Sequence, residues 1–183
     1  MNTIIQNESN SHIIKINKGL ENNQINHELE IGFVLSQGGS FIDKQCAKNF
    51  VGGYFLCQDL TDSTLQSYCK ENKYSWELGK CRDQFLPVSQ YIEKQDIGDF
   101  YEDVELELLI NGQQVYRIST QKMIFDLYDQ IAYVSKFMYL NEGDLFLTGT
   151  PKLGPFQVGD ILQGNLYKKS QMLTSLKVQT QVD

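Results

Sequence analysis

The sequence predicts a β-rich α+β fold. Short alternating or continuous apolar runs recur through its 183 residues, while three segments carry helical signals. Strands and helices do not alternate as a βαβ pattern would require. No internal repeat or long linker divides the chain. With 41% hydrophobic and 21% charged residues, it suits one compact domain with a real core. Residues 1–25 are expected to form a partly irregular amino-terminal extension, and residues 26–183 the domain proper.

Met1 to Gly19 is rich in Asn and Ser and has no Arg, so it fits neither a signal peptide nor an Arg-rich transit peptide. The first strand is predicted over Ile31–Ser36, an apolar run that leads into Gln37-Gly38-Gly39-Ser40. A short helix is predicted over Asp43–Phe50 and a strand over Val51–Leu56. Asp62-Ser63-Thr64, good amino-terminal capping residues, open a helix over Asp62–Asn72. Val104–Ile110 and Gln113–Ile118 flank Asn111-Gly112, the strongest short-range hairpin signal. A third helix is predicted over Met123–Met138, with Ile124, Leu127, Tyr128, Ile131, Val134 and Met138 on one face. Strands over Leu145–Thr148, Ile161–Tyr167 and Met172–Val178 follow, punctuated by Gly149, Gly154, Gly159 and Gly164.

A net charge of −7 argues against a general nucleic-acid or anionic-membrane surface. No apolar stretch approaches the roughly 20 residues of a transmembrane segment, so none is expected. Cys46, Cys57, Cys69 and Cys81 form no Cys-x-x-Cys pair, which leaves zinc and thioredoxin-like readings without support. The pattern suits a reducing compartment, and Cys57 reads as a small core residue.

The chemistry-bearing residues gather around His27-Glu28-Leu29-Glu30. On a strand, alternate residues share a face, so Glu28 and Glu30 would stand roughly 6.5–7 Å apart along it. Two like charges at the head of an apolar run are costly unless a cation sits between them. Asp59, at the end of the next apolar run, would supply a third oxygen donor. Such a set suits Mg²⁺ or Mn²⁺ rather than zinc. A solvated edge strand and a helix-capping Asp fit the same spacing. Lys80 is placed to stabilise an enolate or oxyanion, or is a surface charge. The Leu147-Thr148-Gly149-Thr150-Pro151 turn can grip a carboxylate, or is a plain loop. His27 is expected to face away from Glu28, and His12 has no evident partner.

Taken in order, these residues resemble a known family. The pattern comprises His27-Glu28-Leu29-Glu30-Ile31-Gly32, Val51-Gly52-Gly53-Tyr54, Gln58-Asp59-Leu60-Thr61, Lys80, Met123-Ile124-Phe125, Gly143-Asp144 and Leu147-Thr148-Gly149-Thr150-Pro151. It resembles the fumarylacetoacetate hydrolase family, nearest its small mitochondrial acylpyruvase and oxaloacetate decarboxylase branch. The resemblance implies a mixed β-roll, usually dimeric, with Glu28, Glu30 and Asp59 holding Mg²⁺ or Mn²⁺. It assigns Lys80 and Gln66 to catalysis and Thr150 to the substrate carboxylate. The implied reaction is C–C cleavage of a small 2-oxo acid, an acylpyruvate or oxaloacetate. The implied location is mitochondrial, with the cytoplasm as the alternative.

Departures accompany the likeness. The family carries an upstream Gly-Arg-Asn-Tyr segment and a His/Glu pair on a lid helix that activates water. Only 26 residues precede His27 here, and they hold no such pattern. Ser63 stands where relatives often have Arg, Cys81-Arg82-Asp83-Gln84-Phe85 differs, and Lys152-Leu153-Gly154 is one residue short. Two expectations result: an enzyme with impaired turnover, or an inactive structural subunit of a larger mitochondrial assembly.

Overall fold

The apolar runs of the sequence resolve into strands, some buried nearly throughout, such as Leu29–Leu35 and Val51–Gln58, and some on alternate residues, such as Ser11–Ile16. The structure, a computed structural model, describes residues 3–98 and 103–183. In chain order the strands are β1 (Ile4–Gln6), β2 (Ser11–Ile16), β3 (Ile25–His27), β4 (Leu29–Leu35), β5 (Val51–Gln58), β6 (Thr61–Asp62) and β7 (Leu86–Val88). They continue with β8 (Ile92–Glu93), β9 (Val104–Ile110), β10 (Gln113–Ser119), β11 (Leu145–Leu147), β12 (Gly154–Phe156), β13 (Ile161–Lys168) and β14 (Gln171–Val182). The α-helices among the described residues are short: α1 (Lys44–Ala47), α2 (Ser63–Glu71), α3 (Lys94–Ile97) and α4 (Leu127–Val134). This is the β-rich α+β fold read from the sequence.

Three sheets form. One runs β1-β7-β5-β4-β11 with β8 beside β5, the second β10-β9-β13-β14-β2, and the third β12-β3-β6. Only β1 with β7 and β14 with β2 pair parallel among the described ladders, so the two larger sheets are mixed. Strand β4 (Leu-Glu-Ile-Gly-Phe-Val-Leu) is buried almost throughout, as expected for a strand covered on both faces. Leu29, Phe33, Val104, Leu108, Leu162, Leu166, Leu176 and Val178 are fully buried in one core that joins the two larger sheets. They meet tightly at Gly164 of β13. A Cβ there would stand 2.3 Å from Leu29 Cδ1, so only glycine admits the leucine.

The amino-terminal residues take part in both larger sheets through β1 and β2. His12, for which the sequence offered no partner, is buried on β2 with Nε2 3.1 Å from the Val88 carbonyl on β7. Burial keeps its imidazole below the ordinary histidine range.

The third predicted helix is shorter than its apolar pattern. Met123 is extended, and α4 begins only after Asp126, whose carboxylate accepts from the Asp129 amide at 2.7 Å in a reciprocal capping box. It ends at Ser135, whose Oγ accepts from the Ile42 amide. Leu127 and Ile131 are fully buried, but Ile124 is 91% exposed and Met138 58%. The outlying apolar residues of that pattern therefore belong to a surface. Strand β14 runs to Val182, past the predicted Val178, because its end pairs with β2.

Gly164→Ala tests the contact between sheets. We expect it to cost about 1–3 kcal/mol through overpacking, read as a lower urea midpoint at unchanged slope.

Candidate metal centre

Strands β4 and β5 pair with Leu29 opposite Gln58 and Glu30 opposite Cys57. Glu28 is not itself in a strand: it links β3 to β4, where the chain passes from the third sheet into the first. Asp59 follows β5, and its amide donates to the Glu28 carbonyl at 2.9 Å, extending the ladder. Three acidic side chains therefore gather at one end of the β4–β5 pair. Carboxylate oxygens of Glu28, Glu30 and Asp59 lie within 4.8 Å of one another.

Each carboxylate is held from a different direction. Glu28 accepts from the Thr61 hydroxyl at 2.8 Å and pairs with Lys80 at 3.1 Å. Asp59 pairs with Lys80 at 2.5 Å. Glu30, 3% exposed, accepts from the Gly149 amide at 2.5 Å. That amide is delivered by the turn after β11, which pairs with β4 and presents Gly149 at φ +93°, a conformation only glycine adopts easily.

Lys80 follows a 3₁₀ turn at Trp76–Gly79 that packs on α2. A Cβ on Gly79 would meet the Asp62 carbonyl and Gln66 Cβ at 2.8 Å, so the close approach sets where Lys80 emerges. Asp62 anchors the arrangement: fully buried, it caps the Leu65 amide at 2.9 Å and binds Arg82 at 2.7 Å.

The electrostatics follow from three acids beside one ammonium. Burial pushes the Glu30 carboxyl up to about 7; the Gly149 amide opposes this, while Asp59 and Glu28 add to it. Burial also raises Asp59, against the pull of Lys80. For Lys80, burial acts downward, but its bonds to Asp59 and Glu28 outweigh it and hold the ammonium above its ordinary range.

The other expected site residues are more scattered. Thr150 stands in the turn that carries Gly149, its hydroxyl donating to the Leu29 carbonyl at 3.0 Å. Gln66 lies on α2 behind Gly79, but its Oε1 accepts from Lys70 at 3.0 Å rather than facing the carboxylates. His27 is buried on β3 beside Gly154, with Nδ1 lacking a hydrogen bond. Burial, then Lys152, lowers its basicity. Ser63 begins α2 and bonds the Gln24 carbonyl. Thr61 and Cys57, whose thiol lies 3.8 Å from the Glu30 carbonyl, also border the cluster, a placement the sequence reading gave neither of them. A hydroxyl two residues after Asp59 was the visible signal for Thr61.

The donor set fits a hard divalent cation. Three carboxylates offset by one lysine leave two negative charges, and oxygen-only ligands suit Mg²⁺ or Mn²⁺. With Glu30 raised to about 7, protons compete with the ion at neutral pH. Mn²⁺ affinity is therefore expected to fall as pH drops from 8 to 6, and Glu30→Gln to remove most of that dependence, measured calorimetrically. In the ion-free protein the sign reverses. Stability that Glu30 provides in its protonated form is present below the ordinary carboxylate pKa and is lost as pH rises through about 7.

Known proteins resemble this chain in both sequence and fold. The family model for the fumarylacetoacetate hydrolase C-terminal region matches residues 2–176. Mitochondrial oxaloacetate decarboxylase of Dictyostelium discoideum is 39% identical over 79% of this chain and 66% of its own length. Mitochondrial oxaloacetate tautomerase of Homo sapiens is 37% identical over 78% of this chain and 65% of its own. The chain thus spans slightly under two thirds of these relatives. Among solved structures, a fumarylacetoacetate hydrolase family protein of yeast aligns with a TM-score of 0.87 at 22% identity, covering 98% of this chain and 82% of that one. Fumarylpyruvate hydrolase of Pseudomonas aeruginosa, solved with Mn²⁺ and pyruvate, aligns at 0.84 and 22%, covering 100% and 76%. With the family model matching nearly its whole length, the chain belongs to the fumarylacetoacetate hydrolase family.

Proposed function

We propose that this domain binds Mg²⁺ or Mn²⁺ through Glu28, Glu30 and Asp59 and acts on a small 2-oxo acid. The reactions considered are decarboxylation or tautomerisation of oxaloacetate and C–C hydrolysis of an acylpyruvate. The observation that carries this reading is the meeting of three carboxylates with Lys80 beside the Gly149–Thr150 turn. Relatives named for oxaloacetate chemistry support it, and their mitochondrial names support a mitochondrial location. All the proposed site residues fall within residues 26–183, taken as the catalytic-type domain, with residues 1–25 as its extension.

Each residue then has a task. The ion, when bound, supplies Lewis-acid polarisation of the 2-oxo group. Lys80 keeps its ammonium charged and at hand for an oxygen that gains negative charge as the C–C or C–H bond breaks. Thr150 and its turn hold the substrate carboxylate. Gln66 would have to leave Lys70 to reach the substrate. The expected result is metal-dependent turnover of oxaloacetate that chelation abolishes and Lys80→Met lowers about 10²–10³-fold. Turnover at background rate with Mg²⁺ and Mn²⁺ would leave the inactive reading in place.

One surface bears on assembly, and a homodimer formed through it would count against the second reading, an inactive structural subunit of a larger mitochondrial assembly. A groove of about 1540 Å³ runs from the Gly149–Thr150 turn past β11 and the 122–125 segment to α4, lined along the way by Leu106, Ile118, Met123 and Phe146. Phe41, Ile124 and Phe125 stand 67–91% exposed along it. Its volume exceeds the roughly 300–1,000 Å³ of ordinary ligand pockets, so a small 2-oxo acid at the turn would leave most of the groove's apolar length uncovered. An apolar face of this kind calls for a protein partner, and a second copy of this chain is the one proposed. Light scattering of the purified protein is expected to give a dimer mass that Ile124→Asp reduces to a monomer. A stable wild-type monomer would contradict this.

A further inference from the structure

Tyr116 is the residue that neither the sequence pattern nor the metal centre accounts for. It lies on β10, where the ladder to β9 steps from Gln114 opposite Leu109 to Tyr116 opposite Leu108, leaving Val115 as an extra residue. Such a bulge re-aims the side chain that follows it. Without it Tyr116 would pair with Glu107, on the face where Glu107 bonds Asn165 and Tyr167. With it, the tyrosine shares the face of Leu108 and packs on the core.

The turned side chain carries a polar atom to a costly place. Its hydroxyl is buried and makes no hydrogen bond of normal geometry. It lies beside the Thr150 side chain, whose own hydroxyl is committed to the Leu29 carbonyl, and within the field of Glu30. Burial pushes this phenol up to about 12, so it remains a donor at physiological pH. Phenylalanine would fill the same space without leaving a buried hydroxyl unsatisfied. A buried phenol with only the Thr150 hydroxyl beside it, at a turn proposed to hold a carboxylate, is placed to donate to a ligand oxygen.

We propose that the Tyr116 hydroxyl donates a hydrogen bond to the substrate carboxylate held at the Thr150 turn, and so selects for 2-oxo acids over neutral ketones. The proposal rests on the reading of the site given above. Its test uses the whole chain loaded with Mn²⁺ and titrated calorimetrically with pyruvate, in wild type and Y116F. A bond to a charged acceptor predicts pyruvate affinity weakened about tenfold or more in Y116F. Mn²⁺ affinity should be unchanged, and the ligand-free thermal midpoint equal or higher. Equal pyruvate affinity would overturn the proposal. So would a lowered ligand-free midpoint, which would show that the hydroxyl serves a protein partner. Wild type that binds Mn²⁺ but not pyruvate would instead defeat the substrate reading of the site, and the proposal with it.

Discussion

Three carboxylates within 4.8 Å of one another, one of them almost fully buried, are the constraint around which this end of the molecule is organised. A single ammonium cannot balance them. Either a proton or a cation must supply the remainder, and the rise of Glu30 to about 7 is what the ion-free protein does instead. Each structural device nearby addresses the same imbalance. Lys80 is delivered by a turn packed tightly on α2, Thr61 donates to Glu28, and an amide available only because position 149 is glycine donates to Glu30.

The β-rich scaffold gives these groups their fixed separations. Glu30 and the chain ends that carry Glu28 and Asp59 belong to two directly paired strands, so their spacing is set by a backbone ladder rather than by side-chain choice. The core behind them, from Leu29 to Gly164, leaves little freedom for either sheet to slide. The α4 face has the opposite character, with large apolar side chains in contact with solvent.

Much of this was legible in the sequence because the signals were local. Alternation gave β9, Asn111-Gly112 the hairpin, and Asp62 the start of α2, all of which the structure contains. The carboxylate cluster was legible from residue type and order, although Glu28 proved to link two sheets rather than to lie within one strand. What the sequence hid was non-local. Strands β1, β2 and β3 are short and find partners 82 to 166 residues away, at β7, β14 and β12, so no neighbouring segment announces them. Apolar residues at Ile124 and Met138 mimicked a helix face because a sequence pattern does not separate buried from exposed apolar residues. The bulge at Val115 decides which way Tyr116 points, and one inserted residue leaves no compositional trace.

The central claim is that the acidic cluster is a divalent-cation site. Crystals of the protein grown with Mn²⁺ and measured at its absorption edge test it most directly. The account predicts one anomalous peak in bonding contact with carboxylate oxygens of Glu28, Glu30 and Asp59, with Lys80 at its side. Density showing those three carboxylates without an ion, still closed by Lys80 at saturating Mn²⁺, would contradict it.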